Sequence, residues 1–438
     1  MDLLVIGILG ILVLIGMLAI GVHIGIALGA TGFLGLVFVV GLDAAIQMAT
    51  TSVYYKIANY ALIVIPLFVL MGLLGAGGGL SKTIYDSLAI WTGKMKSGLG
   101  MATILGCAGF GAISGSSIVT AAVFAKVSAP EMRRHGYDKR IAYGVCASAG
   151  SIGMLIPPSV LAVMYGILSG LSVGKLLIAG IGPGVLLTVL FCIQIILLGR
   201  LKPNLILSQG GETSSWRERF ATIPSFWPVI VTAGIIFGGL FGGVFNPTEA
   251  AAVATFVIFV LLVISQGRSS FKMALSSLFE TAMTSSMIFI ILAGACIFSR
   301  FLVLTGLSDK LVEIILSCQV SNLVLVSILA VFYLIMGVVI DSISMLAISI
   351  PFIQPIIEQA GIEPYYFAMV AIVATQVGII TPPLGLAVYT VKSVAEEDVT
   401  LENIFSGSLY FLAVLLIGLA LVIVFPWLSN VLINIFMK

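Results

Sequence analysis

Two short clusters of hydroxyls and glycines, one of them with a carboxylate, stand inside otherwise apolar sequence. Residues 109–122 read GFGAISGSSIVTAA, which sets Ser114, Ser116 and Ser117 around Gly115. Residues 335–348 read IMGVVIDSISMLAI, with Gly337, Asp341, Ser342 and Ser344. Downstream of each cluster lies a double proline. SAGSIGMLIPPSVLAVMYGI (148–167) aligns with ATQVGIITPPLGLAVYTVKS (374–393), placing Pro157-Pro158 over Pro382-Pro383. Gly150 and Gly153 precede the first pair; Thr375, Gly378 and Thr381 precede the second.

Proline cannot continue an α-helix, because it lacks the N–H and its ring clashes with the preceding turn. Carbonyls freed in hydrocarbon cost several kcal/mol each unless something satisfies them. Glycine lets the chain unwind at such a point. Bare carbonyls and hydroxyls at helix C-terminal ends make an oxygen cage suited to a hard monovalent cation such as sodium. Helix N-termini at the same breaks carry partial positive charge and suit a carboxylate. Neither hairpin tip nor broken span offers a mid-membrane Lys or Arg, and Lys392 lies near the inner end of its span, so these dipoles would have to hold an anion alone.

Plainer readings stand beside these. A lone membrane serine usually bonds its own backbone or bridges helices; three beside a glycine at a hairpin tip favour binding. Gly150, Gly153 and Gly378 serve either unwinding or close packing. Pro157 and Pro382 could be simple kinks, although their doubling and duplication favour a built break. Thr375 and Thr381 could be back-bonded hydroxyls. Asp341 is either a functional buried acid or a helix cap at a wet tip. His23 and His135 fall near span ends, and Glu249 in FNPTEA reads as an N-terminal helix charge after Pro247. Glu131, Arg133, Arg134, Asp138 and Lys139 read as a solvated loop.

The elements that must position these groups are membrane helices. The chain has 438 residues, 60% hydrophobic and 9% charged, against about 25% charged in soluble domains. Its surface must face lipid. The net charge of +2 gives no reason to expect a nucleic-acid partner. Apolar runs predict spans near 3–22, 24–42, 58–77, 141–169, 174–199, 224–245, 249–266, 275–299, 363–394 and 404–430. The first lacks a basic leader and reads as a retained span rather than a signal peptide. The stretches 98–128 and 321–358 are too long for one span, are broken by small polar residues, and predict re-entrant helical hairpins. The five cysteines, without close pairing, read as packing residues.

With the N-terminus and C-terminus outside, only Lys56, Lys175, Arg300, Lys310 and Lys438 of the 20 basic residues stay outside, as the positive-inside rule asks. The order in each half is span, amphipathic segment, hairpin, broken span, span. Five spans separate the two units, so an odd number sets them in opposite orientation, the inverted-repeat plan of secondary transporters. The divisions expected are N-terminal scaffold spans 1–57, repeat 1 at 58–220, connecting scaffold spans 221–274, and repeat 2 at 275–438. There is no HExxH, Walker loop, CxxC or GxSxG at a strand–helix turn, and no His near SGSS, which argues against an enzyme or ATP-driven pump.

GAISGSSIVTAA, APEMRRHGYDKRIAYG (129–144), SAGSIGMLIPPSVLAVMYG and TQVGIITPPLGLAVY together resemble the large membrane subunit of tripartite ATP-independent periplasmic (TRAP) transporters. The resemblance covers essentially the whole chain. It implies an all-α polytopic protein of inverted-repeat elevator type, in which hairpins and broken helices move substrate against a fixed scaffold. It implies sodium as coupling ion at two or more sites, a separate small four-helix membrane subunit, a periplasmic binding protein, and organic-acid substrates such as C4-dicarboxylates or sialic acid. The setting is a bacterial or archaeal inner membrane. The first sodium site would fall on Ser114, Ser116 and the Gly150, Gly153 and Pro157 carbonyls. The second would fall on Asp341 and its neighbour Gly337, with Thr375, Gly378, Thr381 and Pro382. Ser116, Ser117, Ser159 and Asp341 are the expected substrate contacts. Many members have an acid a few residues after SGSS, where this chain has Thr120. A stand-alone sodium–carboxylate symporter, and a channel or non-transporting scaffold, are the alternatives.

Overall fold

The computed structural model describes residues 2–93, 95–207, 215–383 and 385–436. Lys94 and Lys438, two charges in the orientation count, lie outside them. Among the described residues the regular elements are α-helices and short 3-10 turns. Among the described residues, seven helices are long and apolar enough to cross a membrane. The first two predicted spans form α1 (Leu3–Ala19) and α2 (Ile24–Val40), followed by α3 (Leu42–Ile57).

Each half then repeats one order of parts. The first runs through α4 (Val64–Gly77), amphipathic α5 (Leu80–Thr92), a hairpin of α6 (Gly98–Ser114) and α7 (Ser117–Val127), short α8 (Ala129–Arg134), and α9 (Lys139–Ala149). A 3-10 turn, Gly150–Met154, separates α9 from α10 (Val160–Ser169). Helices α11 (Val173–Ala179) and α12 (Ile181–Leu201) close that half. Connecting helices α13 (Trp216–Thr222), α14 (Trp227–Phe241) and α15 (Pro247–Gln266) follow. Glu249 does what its position predicts: with Asn246 it forms a capping box at the start of α15.

The second half runs through α16 (Ser269–Thr305), α17 (Leu307–Ser317), a hairpin of α18 (Asn322–Val339) and α19 (Ser342–Gln359), broken α20 (Pro364–Gly378) and α21 (Leu386–Val394), then α22 (Leu401–Val424) and α23 (Trp427–Phe436). The span predicted at 275–299 is thus a 37-residue helix. No proline interrupts it, and Gly306 at φ 67° ends it as a left-handed cap.

Two apolar cores result. The smaller one joins Leu14 and Leu28 of α1 and α2 to Phe298 and Phe301 of α16. There Gly32 admits the α16 backbone, and an added Cβ would lie 2.6 Å from Phe298 N. This is small-residue helix packing, which works where lipid supplies no hydrophobic drive between helices. The larger core takes in the first hairpin, both broken helices, most of the second hairpin and α22. Ala347 and Ile348 of α19 extend the second hairpin into the smaller core.

Candidate functional site

Ser114 ends α6, and Gly115 at φ 60° reverses the chain, a backbone conformation costly for any residue with a Cβ. The tip rests directly on the first double proline. Gly115 O accepts from Val160 N at 3.2 Å, and an added Cβ on Gly115 would strike Pro158 O. Thr120 Oγ1 donates to Ser116 O at 2.7 Å and lies 2.7 Å from Ser114 Oγ. Thr120 has one hydroxyl proton, and it is used on Ser116 O. Ser114 is therefore the donor of its pair, and its oxygen keeps both lone pairs. Ser114 is 2% exposed and Thr120 fully buried.

Glycine brings the 3-10 turn against this hairpin. A Cβ on Gly153 would lie 2.6 Å from Thr120 Oγ1, and one on Gly150 2.6 Å from Ala121 Cβ. Gly111 meets Gly153 backbone to backbone. Ser114, Ser116, Thr120, Gly150, Gly153 and the double proline thus pack together, all of them buried except half-buried Ser116. Pro157 and Pro158 are buried, whereas Pro382 and Pro383 are exposed.

At the second break, Gly337 of α18 and Gly378 of α20 touch. A Cβ on Gly378 would lie 2.6 Å from Gly337 Cα, and one on Gly337 3.3 Å from Thr375 O. Thr375 and Thr381 bond back to Ala371 O and Val377 O, each at 2.7 Å. Thr381 N also returns to Gly378 O at 3.0 Å. Asp341 is half-buried and caps α19, Oδ1 accepting from Ile343 N and Ser344 N at 3.1 Å each. Among the described residues, no hydrogen bond runs from Asp341 to the second broken helix.

Four helices start at the two tips and two breaks, and three of them are capped by side chains of the chain itself. Ser116 receives Val119 N at 3.4 Å, Ser159 receives Ala162 N at 3.1 Å, and Asp341 caps α19. Ser159 also donates to Met154 O. At α21 the cap position is Gly385, which has no side chain to accept.

The halves meet at Met154, a residue that carried no signal in the sequence. Its sulfur receives Gln376 Nε2 at 3.2 Å and the Ser117 hydroxyl at 3.7 Å. Helix α10 packs on α19, and α7 on α21, so each half's broken helix lies against the other half's hairpin. Gln376 is fully buried, and its Oε1 has no hydrogen-bond partner among the described residues. Ser148 Oγ and Ser344 Oγ are likewise buried and unpartnered. Oxygen atoms left this way lose hydration without replacement. No group of three His, Cys, Asp or Glu side chains that could hold a metal occurs among the described residues. The oxygens present, hydroxyl, amide and main-chain, suit a hard cation and not a transition metal.

Residues 11–428 match the family described as Tripartite ATP-independent periplasmic transporter, DctM component. The chain belongs to this family. Its relatives are permease subunits, not enzymes. The sialic acid TRAP transporter large permease protein SiaM of Vibrio cholerae is 30% identical over 413 residues, covering 94% of this chain and 95% of its own. The C4-dicarboxylate TRAP transporter large permease protein DctM of the same organism is 29% identical, with 96% and 95% covered. The ectoine TRAP transporter large permease protein TeaC of Halomonas elongata is 27% identical, with 94% and 95% covered. The crystal structure of the Alcanivorax borkumensis YdaH transporter shares the fold, with a TM-score of 0.64 at 14% identity over 88% of each chain.

The basic loop of this permease is exposed or half-buried, and its charges are paired. Residues 129–134 form α8, and Arg133 pairs with Glu396 and Asp398 beyond the second broken helix. Lys139 Nζ adds a 2.7 Å bond to Asp398 O.

Proposed function

We propose that this permease subunit carries a small organic anion across a bacterial or archaeal inner membrane, driven by sodium, with its N-terminus outside. The observation that carries this reading is the first hairpin tip seated on the first double proline, which packs Ser114, Ser116, Thr120 and the main chain at Gly115 and Gly153 together. Sodium binds there through hydroxyl and carbonyl oxygens, and at the second break through Gly337, Asp341, Thr375, Gly378, Thr381 and Pro382. Ser116, Ser117, Ser159 and Asp341 lie where a carboxylate would pass the helix N-termini.

The two halves share one order of elements, which supports an inverted repeat. Interlocked hairpins and broken helices favour movement as one body past α1–α3 and α16, an elevator. The named substrates of the relatives, among them sialic acid and C4-dicarboxylates, carry a negative group, which favours an organic acid here. A small four-helix membrane subunit and a periplasmic binding protein complete the system.

Proteoliposomes holding the permease, its small membrane partner and the cognate binding protein test the reading. Uptake is expected only with an inward sodium gradient. Equal uptake in potassium medium defeats sodium coupling, and uptake without the binding protein favours the stand-alone symporter.

A further inference from the structure

Away from the hairpin tips, a cavity of about 690 Å³ opens between α5, the feet of the first hairpin and α8. Lys82, Lys126, Arg134 and His135 bring the basic groups to its wall, and Tyr85 lies among them. Tyr85 is 2% exposed, and its hydroxyl is buried without a hydrogen-bond partner. Such a donor calls for an acceptor that none of the described residues supplies. Burial pushes the phenol well above its ordinary range, so it remains protonated and able to donate.

Two carboxylates share the wall. Glu131 stands 3.6 Å from Arg134 Nη1 and 3.5 Å from His135 Nδ1, so it faces its own partners. Asp86 is exposed beside Lys82, and partial burial raises its carboxyl above the ordinary range while Lys82 pulls the other way. Lys82 and Lys126 make no ion pair among the described residues. The rest of the wall includes Ala89, Ile90, Met95 and Leu99, an apolar side beside the charged one.

We propose that this cavity is a binding site for a phosphate-bearing anion, held by the Tyr85 hydroxyl with Lys82 and Lys126 as its charge partners. Phosphate offers several acceptor oxygens to point charges and a hydroxyl donor at once. The ligand is either the head group of an acidic phospholipid or free phosphate. The lipid source matches the setting: basic pockets between helices on the cytoplasmic side bind such head groups, and the orientation count puts Lys82 and Lys126 on that side. The apolar wall would then lie along the glycerol and first acyl carbons.

The full chain, purified as its native complex, is placed in phosphatidylcholine nanodiscs with and without phosphatidylglycerol, and lipid retention is read by native mass spectrometry. Binding of inorganic phosphate is titrated separately. Wild type is expected to retain phosphatidylglycerol, with about tenfold weaker retention in Tyr85→Phe and in Lys126→Gln. Lys202→Gln, whose ammonium lies over Tyr410, should change nothing. Lys126 is exposed, so Lys126→Gln keeps the test valid if Tyr85→Phe fails to fold. Phosphate binding that depends on the same two residues, without lipid preference, supports the site and names free phosphate as its ligand. Failure of wild type to bind either probe overturns the proposal, as does equal binding by the variants.

Discussion

Arg133 grips Asp398 through two parallel bonds of 2.9 Å, Nη1 to Oδ1 and Nη2 to Oδ2, across 265 residues of chain. The fork matches a carboxylate in plane and spacing. The pair ties the segment after the first hairpin to the segment after the second broken helix. Its hydrogen bond with Arg133 holds the Asp398 carboxyl below the usual carboxylate range. A carboxyl depressed in the folded state stabilises the fold above its ordinary pKa of about 3.9, and that contribution is lost as pH falls through the folded value. Asp398→Asn is therefore expected to lower the melting temperature slightly at pH 7, with the gap to wild type closing toward pH 3. The pair is exposed, so high salt narrows the gap as well. Scanning fluorimetry across pH and salt measures both; a gap that widens in acid contradicts the pairing.

Thr120 should matter through its hydroxyl and not its bulk. Thr120→Val keeps the shape but strips the acceptor from Ser114 and the donor from Ser116 O. Sodium activation of uptake is expected to weaken about tenfold, equal to about 1.4 kcal/mol, while Thr120→Ser stays near wild type. Equal sodium dependence in all three proteins would show that the hydroxyl plays no part in the cage.

Gly378→Ala places a methyl group against the Gly337 backbone, which cannot swing aside as a side chain can. The expected loss is about 1–3 kcal/mol of stability, with α18 and α20 pushed apart and uptake reduced. Gly16, beside which nothing lies within 4 Å, is the control. Gly16→Ala should be silent in both thermal denaturation and transport.

The Gln376 amide oxygen sets stability against function. Leucine at 376 removes a buried acceptor that has no partner, and such an acceptor costs about 1–3 kcal/mol. Gln376→Leu should raise the melting temperature while depressing uptake. A variant that is more stable and fully active would remove this residue from the transport reading.

Replacing Pro157 and Pro158 together by alanine returns two N–H donors to the break. The chain from 150 to 169 should then wind as helix, and uptake should vanish while insertion and expression hold. Uptake at the wild-type rate refutes a role for the break.

Element positions were largely readable from residue types. The hairpins predicted at 98–128 and 321–358 form at Gly98–Val127 and Asn322–Gln359, because Gly115 and Asp341 are strong local signals for a reversal and a cap. Broken spans followed from proline chemistry in the same way. Contacts between the halves were not readable. Met154 meets Gln376 across 222 residues, and neither residue type announces a partner. Arg133 looked like one more charge on a wet loop because its partners lie far along the chain. Ser159, expected to touch substrate, donates to Met154 O and caps α10, a use of the hydroxyl that only the folded turn reveals.

If an anion docks at the helix starts as proposed, the self-capping described at Ser116, Ser159 and Asp341 sets a threshold for it. At those three helix starts the newcomer meets an internal rival, tethered a few bonds away and never diluted. Weak or badly shaped anions lose that contest. At Leu386, where glycine stands in the capping place, there is no rival to dislodge. On the proposed reading, discrimination among anions is accordingly stronger at three of the four helix starts than at the last.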